Sequence, residues 1–147
     1  MSNGASIEPQ RQEEVSGVLS DVTSWAETRA DIRAVAVVGS WARDAATMTS
    51  DIDLVVLTSD VGFYVSTDGW CDFLGPIESI RTAEWGVLTE RRIRLPSGFE
   101  IEFGFAPLSW ARTNPPDPGT LTVVRDGCLI LRDPDDLLHS LLGVAEV

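Results

Sequence analysis

The chain has 147 residues, 44% of them hydrophobic and 23% charged, with 23 acidic side chains against 11 basic ones and a net charge of −12. That length and composition fit one soluble globular domain with a single core. The excess of negative charge repels a phosphate backbone and argues against a general DNA or RNA polymerase.

Residues 1–8 read as a loose, polar tail and residues 9–147 as one domain. Met1 to Glu14 has no apolar stretch of the signal-peptide kind, and no segment approaches a membrane span, so a cytoplasmic location is expected. From Pro9 to about Arg29, the residues Val15, Val18, Leu19, Val22, Trp25 and Ala26 recur at helical spacing. They predict an amphipathic helix that packs on a sheet. Ile32 to Val38 is apolar enough for a strand buried on both faces.

That strand runs into Gly39-Ser40, and residues 40–46 are helix-compatible and carry Arg43. Gly39 permits a sharp turn and close approach of a ligand to the backbone. Ser40 stands at the expected helix start, where a hydroxyl and free N–H groups can face a phosphate. Arg43 lies one turn on; it either meets that anion or pairs with Asp44 or Asp31. Trp41 reads as a packing residue. Ser50 then precedes Asp51-Ile52-Asp53, and Leu54 to Thr58 is a second apolar strand. Asp51 and Asp53 are two apart at a strand start, so their side chains share a face with Cα atoms about 6.6 Å apart. Two such carboxylates can converge on one hard cation, Mg²⁺ or Mn²⁺.

A Gly-Ser turn followed by Asp-x-Asp, here Gly-Ser-x-x-Arg and then Ser-Asp-x-Asp-Leu, resembles the signature of the nucleotidyltransferase superfamily related to DNA polymerase β. The minimal and aminoglycoside-type bacterial members are the most similar. The resemblance covers about residues 30–105. It implies an α+β fold in which helices flank a mixed sheet. It also implies metal binding by Asp51 and Asp53, with nucleoside triphosphate contacts from Gly39, Ser40, Arg43 and Ser50.

Further along, Ser59 to Gly69 is polar and without pattern, Trp70 to Leu74 suits a helical turn, and Ile77 to Glu84 is ambiguous. Gly86 to Leu95 and Phe99 to Phe105 read as two strands joined by Pro96-Ser97-Gly98, a hairpin. On the second strand Phe99, Ile101, Phe103 and Phe105 take one face while Glu100, Glu102 and Gly104 take the other. Carboxylates on an otherwise apolar strand need partners or a metal. Superfamily members carry a third carboxylate on such a strand, a description that both glutamates meet. Glu102 is the choice, because it lies deeper, beside a glycine that leaves room for a ligand.

Ala106 to Arg112 suggests a turn of helix before the Asn114-to-Gly119 breaker, and Cys128 to Leu131 a last strand after Asp126-Gly127. Asp133 to Asp136 would cap a final helix reaching about Leu142, with Pro134 at its first position. His139, on that helix, reads as exposed or capping, and Cys71 and Cys128 as reduced thiols.

The resemblance implies Mg²⁺-dependent transfer of a nucleoside monophosphate, AMP from ATP, to a hydroxyl. Asp51, Asp53 and Glu102 are its catalytic metal ligands. Little chain follows the core to build a separate acceptor domain, which leaves three readings. One is a small-molecule enzyme, such as an aminoglycoside-modifying one, with its acceptor site at a homodimer interface. Another is an antitoxin-like enzyme that adenylylates a partner protein. The third is a nucleotide-binding module without turnover. None of the three calls for nucleic acid or a membrane.

Overall fold

The computed structural model describes residues 7–146, so residues 1–6 of the expected tail lie outside the described residues. Helix α1 (Pro9–Glu27) leads into β1 (Ile32–Val38), β2 (Ile52–Thr58) and α2 (Val61–Ser66). A 3₁₀ turn over Gly69–Leu74 precedes β3 (Ser79–Trp85), β4 (Leu88–Arg94) and β5 (Glu100–Ala106). A second 3₁₀ turn, Leu108–Ala111, is followed by α3 (Pro118–Arg125), β6 (Cys128–Arg132) and α4 (Leu137–Ala145). The strands form one sheet in the order β3-β4-β5-β2-β1-β6. Among these pairings β2 with β5 is parallel and the others are antiparallel, the mixed α+β arrangement expected.

Side-chain alternation divides the sheet into two faces. On one, Val35, Val37, Leu54, Val56, Phe103 and Phe105 pack against Val18, Val22 and Trp25 of α1. Trp25 stacks on Phe73 with ring centroids 4.7 Å apart, and Tyr64 of α2 stacks on Phe105 at the same distance. Trp41 packs against this cluster, which is the role expected of it. Truncating a ring as large as Trp25 costs about 3–5 kcal/mol. On the other face Ala34, Ala36, Val55, Leu57 and Ala106 meet Trp110, Val124, Leu138 and Leu141. Three alanines there let the C-terminal elements sit close to the strands.

Several expectations are corrected. Residues 40–46 do not form a helix. Ala42 and Arg43 donate their amides to the Gly39 carbonyl and Ala45 donates to that of Ser40, but Asp44 at φ +56° breaks the run after one turn. So short a segment gains too few hydrogen bonds to extend itself. The patternless stretch after Thr58 contains α2, capped by Asp60, whose carboxylate accepts the Phe63 amide at 3.4 Å. The ambiguous stretch after Ile77 is β3, an edge strand with mostly exposed side chains and hence no alternation to read. Strand β4 begins at Leu88 rather than Gly86. Trp85 pairs with Leu88 across a two-residue loop in which Gly86 supplies φ +66°. Helix α4 starts at Leu137, after a left-handed Asp136, and not with Pro134 at its first turn. The cap comes from Asp133, whose carboxylate accepts the amides of Leu138 (3.1 Å) and His139 (2.9 Å) and bonds the exposed His139 ring at 2.7 Å.

Candidate functional site

The acidic residues gather on the second face of the sheet, where β1 ends and β2 and β5 begin. Strand register forms a lateral row: Val38 opposite Asp53, Asp53 opposite Glu102, Glu102 opposite Arg92, and Arg92 opposite Arg81. Neighbouring strands are about 4.8 Å apart, so Asp53 and Glu102 stand side by side. Glu90 and Gly104 are paired in the next row, on the same face.

Gly39 closes the end of β1 over this row with φ +76°. A Cβ on it would lie 2.5 Å from Asp53 Oδ2, so the close approach that requires glycine is to the aspartate itself. Arg43 pairs with neither Asp44 nor Asp31 among the described residues; Asp31 meets Arg29 at 3.4 Å. Arg43 instead stands near enough to Asp53 to favour its ionised form. Gly127 abuts the backbone of the 39–45 turn at Ala42 and Arg43, which leaves 3.1 Å for any Cβ there. Ser40 lies in the turn directly after Gly39. The Ser50 hydroxyl accepts the Thr47 amide at 2.8 Å, and the Ser50 carbonyl accepts Trp41 Nε1 at 3.4 Å. Ser50 thereby shapes the approach to Asp51, and the two line a recess of about 270 Å³.

Arg92 is the residue that sequence reasoning missed. Its guanidinium lies 2.8 Å from Asp51 Oδ2 and 2.8 Å from Glu100 Oε1, and 3.5 Å from Glu90 Oε2, and it is paired with Glu102. No motif marks it; only the β4–β5 register brings it into the row. Arg92, Arg94 (3.2 Å) and Arg81 (3.3 Å) all reach Glu100, and the Arg92 hydrogen bond foremost among them holds its carboxyl below the usual range. Glu102 faces one guanidinium and lines the main cavity with Asp53. Burial pushes the carboxyls of Asp51 and Asp53 up; the nearby guanidinium of Arg92 opposes this at both, and Arg43 does so at Asp53. Burial outweighs the guanidiniums at both aspartates, so further positive charge beside them would favour their ionised forms. Oxygen donors such as those of Asp51, Asp53 and Glu102 suit a hard dication. Among the described residues, however, the ligand atoms that lie within 4.8 Å of one another are those of Asp133, Asp136 and His139, so the three candidate carboxylates stand further apart than a closed site.

The cavity beside this row has a volume of about 740 Å³. Its floor includes Asp53, Glu102 and Gly39, and its walls come from the β3–β4 hairpin and from Trp110 and α3. Gly104 lines this cavity beside Glu102, and Leu88 narrows the space over it: a Cβ on Gly104 would meet both Leu88 methyl groups at 3.0 Å. His139 and Cys71 stand apart from the row, whereas Cys128 pairs with Val38 at its β6 end. Cys71 and Cys128 are free thiols, and burial pushes Cys128 up to about 11. Among the described residues no helix is long and apolar enough to cross a membrane.

A family model for the nucleotidyltransferase domain matches residues 22–100, more than half of the chain, from α1 to the first residue of β5. No curated protein matches. Solved structures of similar fold include an aminoglycoside 6-adenyltransferase from Bacillus subtilis, at 17% identity and TM-score 0.51, covering 65% of this chain and 36% of that one. Another is a cytoplasmic RNA terminal U-transferase, at 18% identity and TM-score 0.51, covering 67% and 30%. The chain thus spans about a third of the length of each, and at these identities the likeness is one of fold. Given the family match, the mixed sheet and the Asp53–Glu102 row beside the Gly39 turn, this chain belongs to the nucleotidyltransferase domain family.

Proposed function

We propose that the protein is a Mg²⁺- or Mn²⁺-dependent enzyme that moves a nucleoside monophosphate, AMP from ATP, onto a hydroxyl of a small-molecule acceptor such as an aminoglycoside. The observation that carries this reading is the in-register pairing of Asp53 with Glu102 on parallel strands, facing one cavity beside the Gly39 turn. Asp51, Asp53 and Glu102 would hold the cation. When bound, it neutralises phosphate oxygens and makes the attacking hydroxyl more acidic.

The residues of the chain do the rest by positioning and charge. Gly39 lets the turn lie against the row, Ser40 offers a hydroxyl to the terminal phosphates, and Arg43 adds positive charge beside Asp53. Ser50 sets the backbone that leads to Asp51. The acceptor oxygen forms a bond to the α-phosphorus as the bond to the β-phosphate bridging oxygen breaks. Pyrophosphate carries away the bonding electrons, and the acceptor proton passes to Glu102 or to water. Arg92 keeps Asp51 and Glu102 from repelling each other between turnovers. Asp51 and Glu102 are its partners in common with the cation, so the guanidinium and the cation compete for the same oxygens. The charge of −12 disfavours a nucleic-acid acceptor.

The test is incubation with α-labelled ATP and Mg²⁺ against aminoglycosides, candidate proteins and short RNAs, followed by separation of the products. Label on an aminoglycoside, with pyrophosphate released in equal amount, supports the proposal. Label on protein or RNA replaces the acceptor and leaves the transfer chemistry standing. No label on any acceptor, with Mg²⁺ and Mn²⁺ both tried, refutes it.

A further inference from the structure

Large exposed hydrophobic side chains are few among the described residues: Trp85 (65% exposed), Val87 (67%), Val123 (37%) and Leu129 (50%). Three of these four line the 740 Å³ cavity. Trp85 and Val87 flank the tight β3–β4 turn and Val123 rises from α3 opposite, so exposed apolar surface is concentrated at the mouth of one cavity. Such concentration marks a ligand site rather than ordinary surface scatter. The indole is also held in place. Its Nε1–H donates to Glu90 Oε1 at 3.3 Å, and Glu90 lines the same cavity.

The charge of the lining selects the ligand. Besides Asp53 and Glu102, the cavity wall carries Glu90, Asp117 and Asp126; Arg112 pairs with Asp117 at 3.6 Å and Arg92 stands 3.5 Å from Glu90. Among the described residues Asp126 is left without a guanidinium, and the lining as a whole keeps more carboxylates than cations around an aromatic face. An indole face beside a carboxylate attracts an ammonium group through the ring quadrupole and direct charge together.

We infer that Trp85, oriented by Glu90, is the specificity-determining platform for the acceptor, and that the acceptor is an amine-bearing cation whose ammonium group lies against the indole face. The inference rests on the transfer reading for the location of the reacting centre. Asp117 and Asp126 add attraction from the α3 side, and Val87 and Val123 cover the carbon framework that joins the amines. A nucleobase on the indole is the competing occupant, and the lining disfavours it because a neutral base gains nothing from the excess of carboxylates over guanidiniums.

The test is calorimetric titration of the full chain with kanamycin and spermidine as cationic probes, trehalose as a neutral polyol and glucose 6-phosphate as an anion. MgATP affinity is measured alongside, on wild type, Trp85→Ala, Trp85→Phe and Glu90→Gln. Trp85 is exposed, so its variants should fold. At least one cationic probe should bind wild type tenfold or more tightly than trehalose or glucose 6-phosphate. Trp85→Ala should weaken it about 3–30-fold. Trp85→Phe should recover most of the loss, Glu90→Gln should weaken it less than Trp85→Ala, and MgATP affinity should stay within twofold throughout. The inference is overturned if no cationic probe is preferred, if Trp85→Ala binds it as wild type does, or if the loss falls on MgATP. Trp85-dependent cation binding without nucleotide transfer would keep this inference and sink the transfer reading. Transfer without a cation preference would do the reverse.

Discussion

Replacing Gly39 with alanine adds one carbon where the fold leaves no room for it. The φ of +76° disfavours any side chain, at about 1–2 kcal/mol for an L-residue. The new Cβ would sit 2.5 Å from Asp53 Oδ2, so the carboxylate must rotate away, an off-rotamer cost of about 0.5–1.5 kcal/mol. The sum, about 1.5–3.5 kcal/mol, corresponds to a fall in Tm of roughly 5–11 °C for a chain of this size. The two contributions separate in a double-mutant cycle with Asp53→Ala, which leaves its Cβ 3.6 Å from the added carbon, an ordinary contact. In that background Gly39→Ala should cost only the backbone contribution, a coupling of about 1 kcal/mol. Urea denaturation of the four proteins in metal-free buffer measures it. Equal costs in both backgrounds would refute the claim that Gly39 is required by its approach to Asp53.

Burial raises Asp53 above its ordinary value of 3.8, against the pull of Arg92 and Arg43. Stability favouring the protonated form is present below that value and lost as pH rises through the raised one. Metal-free Asp53→Asn should therefore melt higher than wild type at pH 7, with the gap closing below about pH 4; a lower melting temperature at pH 7 contradicts this. Arg92→Met removes the cation that four carboxylates share, which should lower metal-free stability by about 1–3 kcal/mol given partial exposure. Mg²⁺ should restore more of the Tm in this variant than it adds to wild type, and equal Mg²⁺ increments would count against competition for the same oxygens. Glu100 is tied to three guanidiniums, so Glu100→Gln should change the transfer rate by less than tenfold. A larger loss than Glu102→Gln causes, in parallel rate assays, would move the catalytic role to Glu100.

Much of the architecture was legible because its signals are local. The apolar runs before Gly39 and after Asp53 announced two buried strands, and the alternation from Phe99 to Phe105 placed Glu100 and Glu102 together on one face. What alternation cannot give is register. Which glutamate stands beside Asp53 depends on the parallel pairing of strands distant in sequence, and Arg92 enters the row through two turns whose lengths set the β4 register. The same limit hid a further demand on Gly39, read as a sharp turn open to a ligand and found also to leave room for Asp53. Leu88 narrows the space over Gly104 for a similar reason, since its side chain arrives from the neighbouring strand. The helix expected after Ser40 rested on composition alone, and one left-handed aspartate was enough to end it. Helix α2 escaped notice because Tyr64 packs into an aromatic cluster built from four separate elements, which no local period reports.

The most direct measurement is the initial rate of label transfer from α-labelled ATP to the acceptor, for wild type, Asp53→Asn and Glu102→Gln, with Mg²⁺ and with a chelator. Wild type should transfer label, and that transfer should cease with the chelator. Asp53→Asn should show no measurable transfer, and Glu102→Gln should lose at least a hundredfold in rate with ATP affinity little changed, because that loss falls on the transition state. Wild-type rates from Asp53→Asn, or transfer that survives the chelator in full, would contradict this.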